Sequence, residues 1–227
     1  MSATLSIVAT PLGNLGDITL RAIDTLKEAD VIACEDTRVS SKLLAHLGIQ
    51  KPLIIFHAQS GRSATEKVFS LLEEEKHVAL VTDAGTPGIS DPGAELVSLV
   101  YERFGDDVLV VPIPGPSALT TALSGAGVPC ASFIFLGFLP HKKGRETLFT
   151  EIQQAERTMV FYESPHRIEK TLDALAERLP EERMVVVARE LTKIYEEFVR
   201  GSAQFVRDYF KENPDKIRGE FVVIVAP

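Results

Sequence analysis

The sequence predicts an α/β protein of two domains: an N-terminal, mostly parallel sheet with helices on both faces over residues 1–115, and a C-terminal mixed α+β sheet domain over 116–227. Three observations predict it. Short apolar runs alternate with stretches of helical spacing through the first half, the rhythm of strands joined by crossover helices. Pro112-Ile113-Pro114-Gly115-Pro116-Ser117 then breaks that rhythm and marks the boundary. Beyond it the strand-like runs lie closer together, with fewer helices between them.

The first-half strands are expected at Leu5 to Ala9, Val31 to Cys34, Leu53 to Phe56, Val78 to Val81 and Val108 to Val111. Between them, Leu20, Ile23 and Leu26, and then Ala64, Val68, Leu71 and Leu72, keep helical spacing. In the second half a helix is expected from about Ser117 to Leu123, with strands at Phe133 to Leu136 and Met159 to Tyr162. An amphipathic helix carries Ile168, Leu172, Leu175 and Leu179, and a strand runs from Met184 to Ala188. Runs at Tyr195 to Val199 and Phe221 to Val225 flank a helix at Ala203 to Phe210. No internal repeat or low-complexity tract interrupts this order.

At 227 residues and 45% apolar content the chain can bury a sizeable core. Cys34 and Cys130 stand far apart, without metal-type spacing, so neither a disulfide framework nor a zinc site is expected, and a reducing cytoplasm fits best. No basic leader opens the sequence, and no apolar stretch approaches the roughly 18 residues that span a bilayer, so neither export nor a membrane span is expected. The net charge of −8 argues against general nucleic-acid coating. It is uneven. Residues 1–116 hold 9 basic against 16 acidic side chains, and residues 117–227 hold 15 against 16, so RNA contact is expected to be local and mainly in the second half.

Thr82 to Gly93, directly after an apolar strand, is the most informative stretch. Its three glycines are expected to leave main-chain groups uncovered, while its prolines preset the turn. Ligands of open α/β sheets bind at the carboxyl ends of the strands, which makes this turn the first candidate for a cofactor. Ala9 to Asp17 is a second glycine-bearing turn and Gly115-Pro116-Ser117-Ala118 a third, and the three are expected to converge on one sheet edge. Dinucleotide and phosphate-loop fingerprints are absent, as are His-Glu-x-x-His and Gly-x-Ser-x-Gly.

Charged residues close several strands. In Cys34-Glu35-Asp36-Thr37-Arg38, Asp36 or Thr37 reads as a helix cap, or Arg38 with His57 faces a phosphate-bearing substrate. Lys142-Lys143-Gly144-Arg145 reads as a solvated helix start or as a phosphate grip. In Tyr162-Glu163-Ser164-Pro165-His166-Arg167, Ser164 is a plausible cap with Pro165 in the first turn, yet four polar or ionisable groups crowd there. Arg189-Glu190-Leu191-Thr192-Lys193 does the same after the next strand.

These stretches, with Val8 to Thr19, Asp83 to Gly93, Pro114 to Ala118 and Gly137 to Pro140, closely resemble, in order and over essentially the whole chain, the ribosomal small-subunit (16S) RNA cytidine 2′-O-methyltransferases. Those enzymes belong to the tetrapyrrole-methylase-like superfamily. The resemblance implies S-adenosyl-L-methionine folded into a cleft between two α/β domains, and a homodimer acting on ribosomal RNA or the small ribosomal subunit. It implies cofactor contacts, mostly main-chain, from Leu12, Asp83, Ala84, Gly85, Thr86, Ile89, Ser117, Ala118, Tyr162, Glu220 and Phe221. RNA phosphates are then expected at Arg38, Lys143, Arg145 and Arg167, with His57 toward the substrate. Asn14 and Glu163 are expected near the acceptor ribose. Glu163, His166, His57 and Glu190 are the candidates for taking the hydroxyl proton, and no metal is implied. The sequence departs from the family at Ala58-Gln59-Ser60-Gly61, which lacks an expected Asn and weakens the expectation of a substrate contact from that loop. Many members also continue past the last strand, so with Pro227 last any RNA contact from such an extension is expected to be absent or supplied by a dimer partner. Two alternatives stay open: methylation of a small acceptor such as a tetrapyrrole carbon or a protein-bound histidine derivative, and a non-catalytic module assisting ribosome assembly.

Overall fold

Apolar strands flanked by helices build two units, residues 1–117 and 118–227, in a computed structural model that describes residues 3–57 and 61–227. The expected departure at Ala58, Gln59 and Ser60 lies outside the described residues.

In the first unit the strands are β1 (Thr4–Val8), β2 (Val31–Cys34), β3 (Leu53–Ile55), β4 (His77–Val81) and β5 (Leu109–Ile113). They form a fully parallel sheet in the order β3-β2-β4-β1-β5, with Thr4 opposite both His77 and Leu109. Helices α1 (Leu20–Glu28) and α2 (Thr37–His46) pack Ala22, Leu26 and Leu44 on Val8, Ile32, Ala79 and Val81. On the opposite face, α3 (Gly61–Glu73) and α4 (Gly93–Phe104) pack Val68, Leu72, Leu96 and Val100 on Leu5, Ala33, Val78 and Leu80. Sandwiched between helical layers, β1 and β4 are mainly apolar, and the buried Ser6 hydroxyl of β1 is satisfied by the His77 ring of β4 at 2.8 Å. α1 and α2 start at side-chain caps: Thr19 Oγ1 accepts from the Ala22 amide at 3.1 Å and Asp36 Oδ1 from the Arg38 amide at 2.8 Å.

β1 and β4 are neighbours, but β1 leads to α1 on one face and β4 to α4 on the other. Their carboxyl ends therefore frame a topological switch point. A crevice opens there.

The second unit holds β6 (Phe133–Phe138), β7 (Thr158–Glu163), β8 (Met184–Arg189), β9 (Glu197–Ser202) and β10 (Phe221–Val225), in the order β6-β7-β10-β8-β9. Only β6 and β7 run parallel, which makes the sheet mixed. Helices α6 (Arg145–Gln154), α7 (Ile168–Arg178) and α8 (Ala203–Glu212) cover one face through Phe149, Leu172 and Phe210, while α5 (Ala118–Ala126) covers part of the other. The expected strand at Tyr195 begins two residues later. Glu190 and Thr192 take positive φ, and a turn from Glu190 to Glu196 leaves Ile194 and Tyr195 exposed. Ser164 does not cap α7 with its side chain; its carbonyl instead accepts from the amides of Arg167 and Ile168, in a turn that precedes the helix.

Candidate active site

The three glycine-bearing turns do converge. Thr10 and Gly85 exchange both main-chain hydrogen bonds, at 2.9 and 3.0 Å, tying the turn after β1 to the turn after β4. Thr86 Oγ1 donates to the Pro116 carbonyl at 2.9 Å, and Thr10 Oγ1 donates to the Thr82 carbonyl at 3.0 Å. At Gly115 a Cβ would lie 2.9 Å from the Ala9 methyl, so only glycine lets the third turn reach β1.

The glycine amides, however, are not left open. The Gly85 amide pairs with Thr10, and Asp91 Oδ1 accepts from the Gly88 amide at 2.7 Å and the Gly93 amide at 2.6 Å. A Cβ on Gly93 would come within 2.8 Å of the Gly88 nitrogen. Glycine serves close packing within the turn here, and the residues it presents to solvent are Asp83, Ala84, Ile89 and Ser90.

A cavity of about 310 Å³ lies at the switch point, walled by Pro11, Leu12, Leu15, Val39 and Leu43, with Lys42 and Asp83 at its polar side. Asp83 Oδ1 accepts from the Asp36 amide at 3.2 Å, and burial pushes its carboxyl above the ordinary range. Glu35 stands close by. Burial raises its carboxyl too, against the hydrogen bond it accepts from the Thr82 hydroxyl, and the charges of Asp91 and Asp83 add to the rise. Burial also raises the Cys34 thiol. Arg38 does not line the cavity; its guanidinium is exposed and grips Asp36 at 3.0 and 2.5 Å, holding that carboxyl down to about 2. The cation that lines the cavity is Lys42. Val39, Lys42 and Leu43 share one helical face by their i, i+3, i+4 spacing, a signal the sequence carries. His57 lines a different hollow, of about 470 Å³, with Arg62, Glu66 and Phe69. Asn14 Oδ1 accepts from the Gly16 amide at 3.0 Å and so shapes the turn after β1.

In the second unit the expected residues gather at one sheet edge. Phe221 stands opposite both Glu163 and Arg189, and Arg189 opposite Glu197, which brings the carboxyl ends of β7 and β8 together. Yet Tyr162 and Glu163 are successive strand residues and face opposite ways. Tyr162 lies on the α5 side with Ala118 and Leu119, its ring edge-on to Phe135 and Phe138 at 4.9 and 5.4 Å, and burial raises its hydroxyl. Glu163 lies on the α6–α7 side with its side chain wholly enclosed. Both of its oxygens are occupied: Oε1 by Arg167 and the Ser164 amide at 2.8 Å each, Oε2 by the Thr171 hydroxyl at 2.7 Å.

Arg145 and Arg167, expected at phosphates, turn inward toward this carboxylate, which lies 3.5 Å from Arg145. A buried anion needs counter-charges, and these are the two at hand. Lys142, Lys143 and His166 are exposed. Glu190 is ion-paired with Lys193 at 2.8 Å and packs so closely on Gly219 that a Cβ there would fall 1.7 Å from its Oε1. Glu220 is exposed, whereas the Phe221 ring is buried against Phe210 at 5.8 Å and offers a ligand only main chain. Ser117 is half-buried at the end of the first unit. Among the described residues no group of three His, Cys, Asp or Glu side chains is placed to hold a metal ion, and no helix is long and apolar enough to cross a membrane.

A family model described as Tetrapyrrole (Corrin/Porphyrin) Methylases matches residues 4–206. The chain belongs to the tetrapyrrole methylases. Within that family it is 47% identical, over 98% of its length and 78% of the relative's, to a Synechocystis protein named ribosomal RNA small subunit methyltransferase I. A Bacillus subtilis protein of the same name is 46% identical, over 97% of this chain and 74% of the relative. Among solved tetrapyrrole methylase structures, uroporphyrin-III C-methyltransferase from Thermus thermophilus, complexed with S-adenosyl homocysteine, matches with a TM-score of 0.67 at 18% identity, over 99% of this chain and 97% of that one. That likeness is one of fold.

Proposed function

We propose that this tetrapyrrole methylase transfers the methyl group of S-adenosyl-L-methionine to the 2′-hydroxyl of a cytidine in 16S ribosomal RNA, as a cytoplasmic homodimer acting on the RNA or on the small subunit. The observation that carries the reading is near full-length likeness to proteins named ribosomal RNA small subunit methyltransferase I. What supports a cofactor at the turns is the cavity walled by Pro11 and Leu12, beside the exposed Asp83 and Ala84. The family resemblance points to Leu12, Asp83, Ala84, Gly85, Thr86, Ile89 and Ser117 as cofactor contacts within the first unit, and to Ala118, Tyr162, Glu220 and the main chain of Phe221 as contacts within the second. When bound, S-adenosyl-L-methionine supplies an electrophilic methyl group.

The protein's own task is to fix the acceptor in line and to take its proton. Among the expected acceptors, Glu163 has both oxygens occupied, Glu190 is ion-paired and His57 lines a separate hollow of the first unit, while His166 is exposed in the turn after β7. We assign the proton to His166. Histidine is the side chain most often used for such proton transfer.

Small subunits from a strain lacking the enzyme, incubated with purified protein and methyl-labelled cofactor, test the reading. Label should appear in an alkali-resistant dinucleotide that starts with cytidine. Label in a base, or in a tetrapyrrole and not in RNA, refutes it.

A further inference from the structure

The enclosed Glu163 carboxylate anchors more than its two arginines. Arg167 Nη1 donates to the Leu139 carbonyl at 2.7 Å, and Arg145 Nη1 donates to the Pro140 carbonyl at 3.2 Å. Arg145 Nη2 also donates to Thr171 Oγ1 at 2.6 Å, whose hydroxyl reaches Glu163. One buried anion thus connects β7, α7 and the first turn of α6 to two successive carbonyls at the end of β6.

Such a network is a poor source of stability. Stripping water from a carboxylate and two guanidiniums costs about as much as their attraction returns. What it fixes is place. Leu139 and Pro140 lead directly into His141-Lys142-Lys143-Gly144, an exposed turn closed by the Arg145 amide on the Lys142 carbonyl at 3.3 Å and by positive φ at Gly144. Lys142 and Lys143 form no ion pair among the described residues. The nearest acid in sequence, Glu146, pairs with Arg178 at 2.5 Å instead. In a chain of net charge −8, two adjacent unpaired cations on a turn clamped at its root are a built contact for a polyanion.

We propose that the Glu163–Arg145–Arg167–Thr171 network is a positioning device that holds the 139–144 turn so that Lys142 and Lys143 grip adjacent RNA phosphates. This rests on the ribosomal RNA reading above. The arginines act through the turn and do not touch the RNA themselves.

Binding of 16S ribosomal RNA transcript, followed across a salt series, tests it. Each lost phosphate contact makes the slope of log affinity against log salt shallower by about 0.7–0.9. The double variant Lys142→Ala/Lys143→Ala should therefore lose about 1.4–1.8 of slope. Glu163→Gln keeps the shape and removes the charge; it should weaken RNA binding about tenfold, flatten the slope similarly and raise the RNA KM by a larger factor than it lowers kcat, with cofactor affinity retained. Added to the lysine double variant, Glu163→Gln should cost less than about twofold more, because the contacts it positions are already gone. Thr171→Val, which keeps every charge, should show a weaker version of the same pattern and serves if Glu163→Gln does not fold. Additive losses, or an unchanged slope in both network variants, overturn the positioning role. A wild-type protein that neither binds nor methylates the RNA overturns the ribosomal RNA reading, and this proposal with it.

Discussion

Asp91 is where the turn after β4 can be tested most directly. A single oxygen, Oδ1, accepts from the amides of Gly88 and Gly93 at 2.7 and 2.6 Å, closing the loop that carries Ile89 and Ser90. Hydrogen bonds to a charged group contribute about 1.5–3 kcal/mol each. Asp91 is half-buried, so water replaces part of that, and we take about 2 kcal/mol for the pair. Asp91→Ala should therefore lower Tm by about 4–8 °C, at about 2–4 °C per kcal/mol for a chain of this size. Asp91→Asn keeps an acceptor oxygen and loses only the charge, roughly half the effect, or about 2–4 °C. Calorimetry gives the two shifts, and hydrogen exchange at Gly88 and Gly93 reads the bonds themselves. Both amides should lose protection in the alanine variant and keep most of it in the asparagine variant. Because the Asp91 charge also helps raise the Glu35 carboxyl, either substitution should move the Glu35 titration downward. Equal Tm shifts for Ala and Asn, or amides still protected in the alanine variant, would refute the assignment of Asp91 as the closing acceptor.

Glu35→Gln should stabilise the protein at neutral pH, because burial disfavours the carboxylate and Gln can still accept from the Thr82 hydroxyl. The sign follows from linkage: a carboxyl raised on folding binds its proton more tightly in the native state, so stability is lost as pH climbs from the ordinary Glu value, about 4.3, through the raised one. The Tm gain of the variant should be present at about pH 7 and vanish near pH 4; a gain independent of pH defeats the reasoning. Arg183, 7% exposed, donates to the carbonyls of Ala226, Gln153 and Ala155 at 2.7, 2.5 and 3.0 Å, and Arg183→Ala should cost about 3 kcal/mol by denaturant titration. Lysine has a single nitrogen for three diverging acceptors, so Arg183→Lys should recover less than half of that, and full recovery would show that charge alone matters. Tyr162→Ala should weaken S-adenosyl-L-methionine binding about tenfold by titration calorimetry, with Tyr162→Phe close to wild type if the ring face is what counts. No change in the alanine variant removes Tyr162 from the cofactor pocket.

Period and composition made most of the fold legible. The apolar runs at Val31 to Cys34 and Phe221 to Val225 are strands over those same residues, because nothing competes with burial on both faces of a central strand. The convergence of three small-residue turns was legible too, since parallel strands send all their carboxyl ends to one edge. What failed was direction and partnership. Adjacent residues of one strand cannot share a face, so Tyr162 and Glu163 had to part, an inference period two already licensed. That Arg145 and Arg167 turn inward was not legible, because a cation after a turn reads as solvated until the buried carboxylate that recruits it is known to be buried. The glycine turn shows the same limit. Gly88 and Gly93 read as open main chain, but the Asp91 side chain between them takes up their amides. In both places a charged residue written next to a candidate contact satisfies the protein first, and what stays exposed is the remainder: Asp83 and Ala84 on one turn, Lys142 and Lys143 on another.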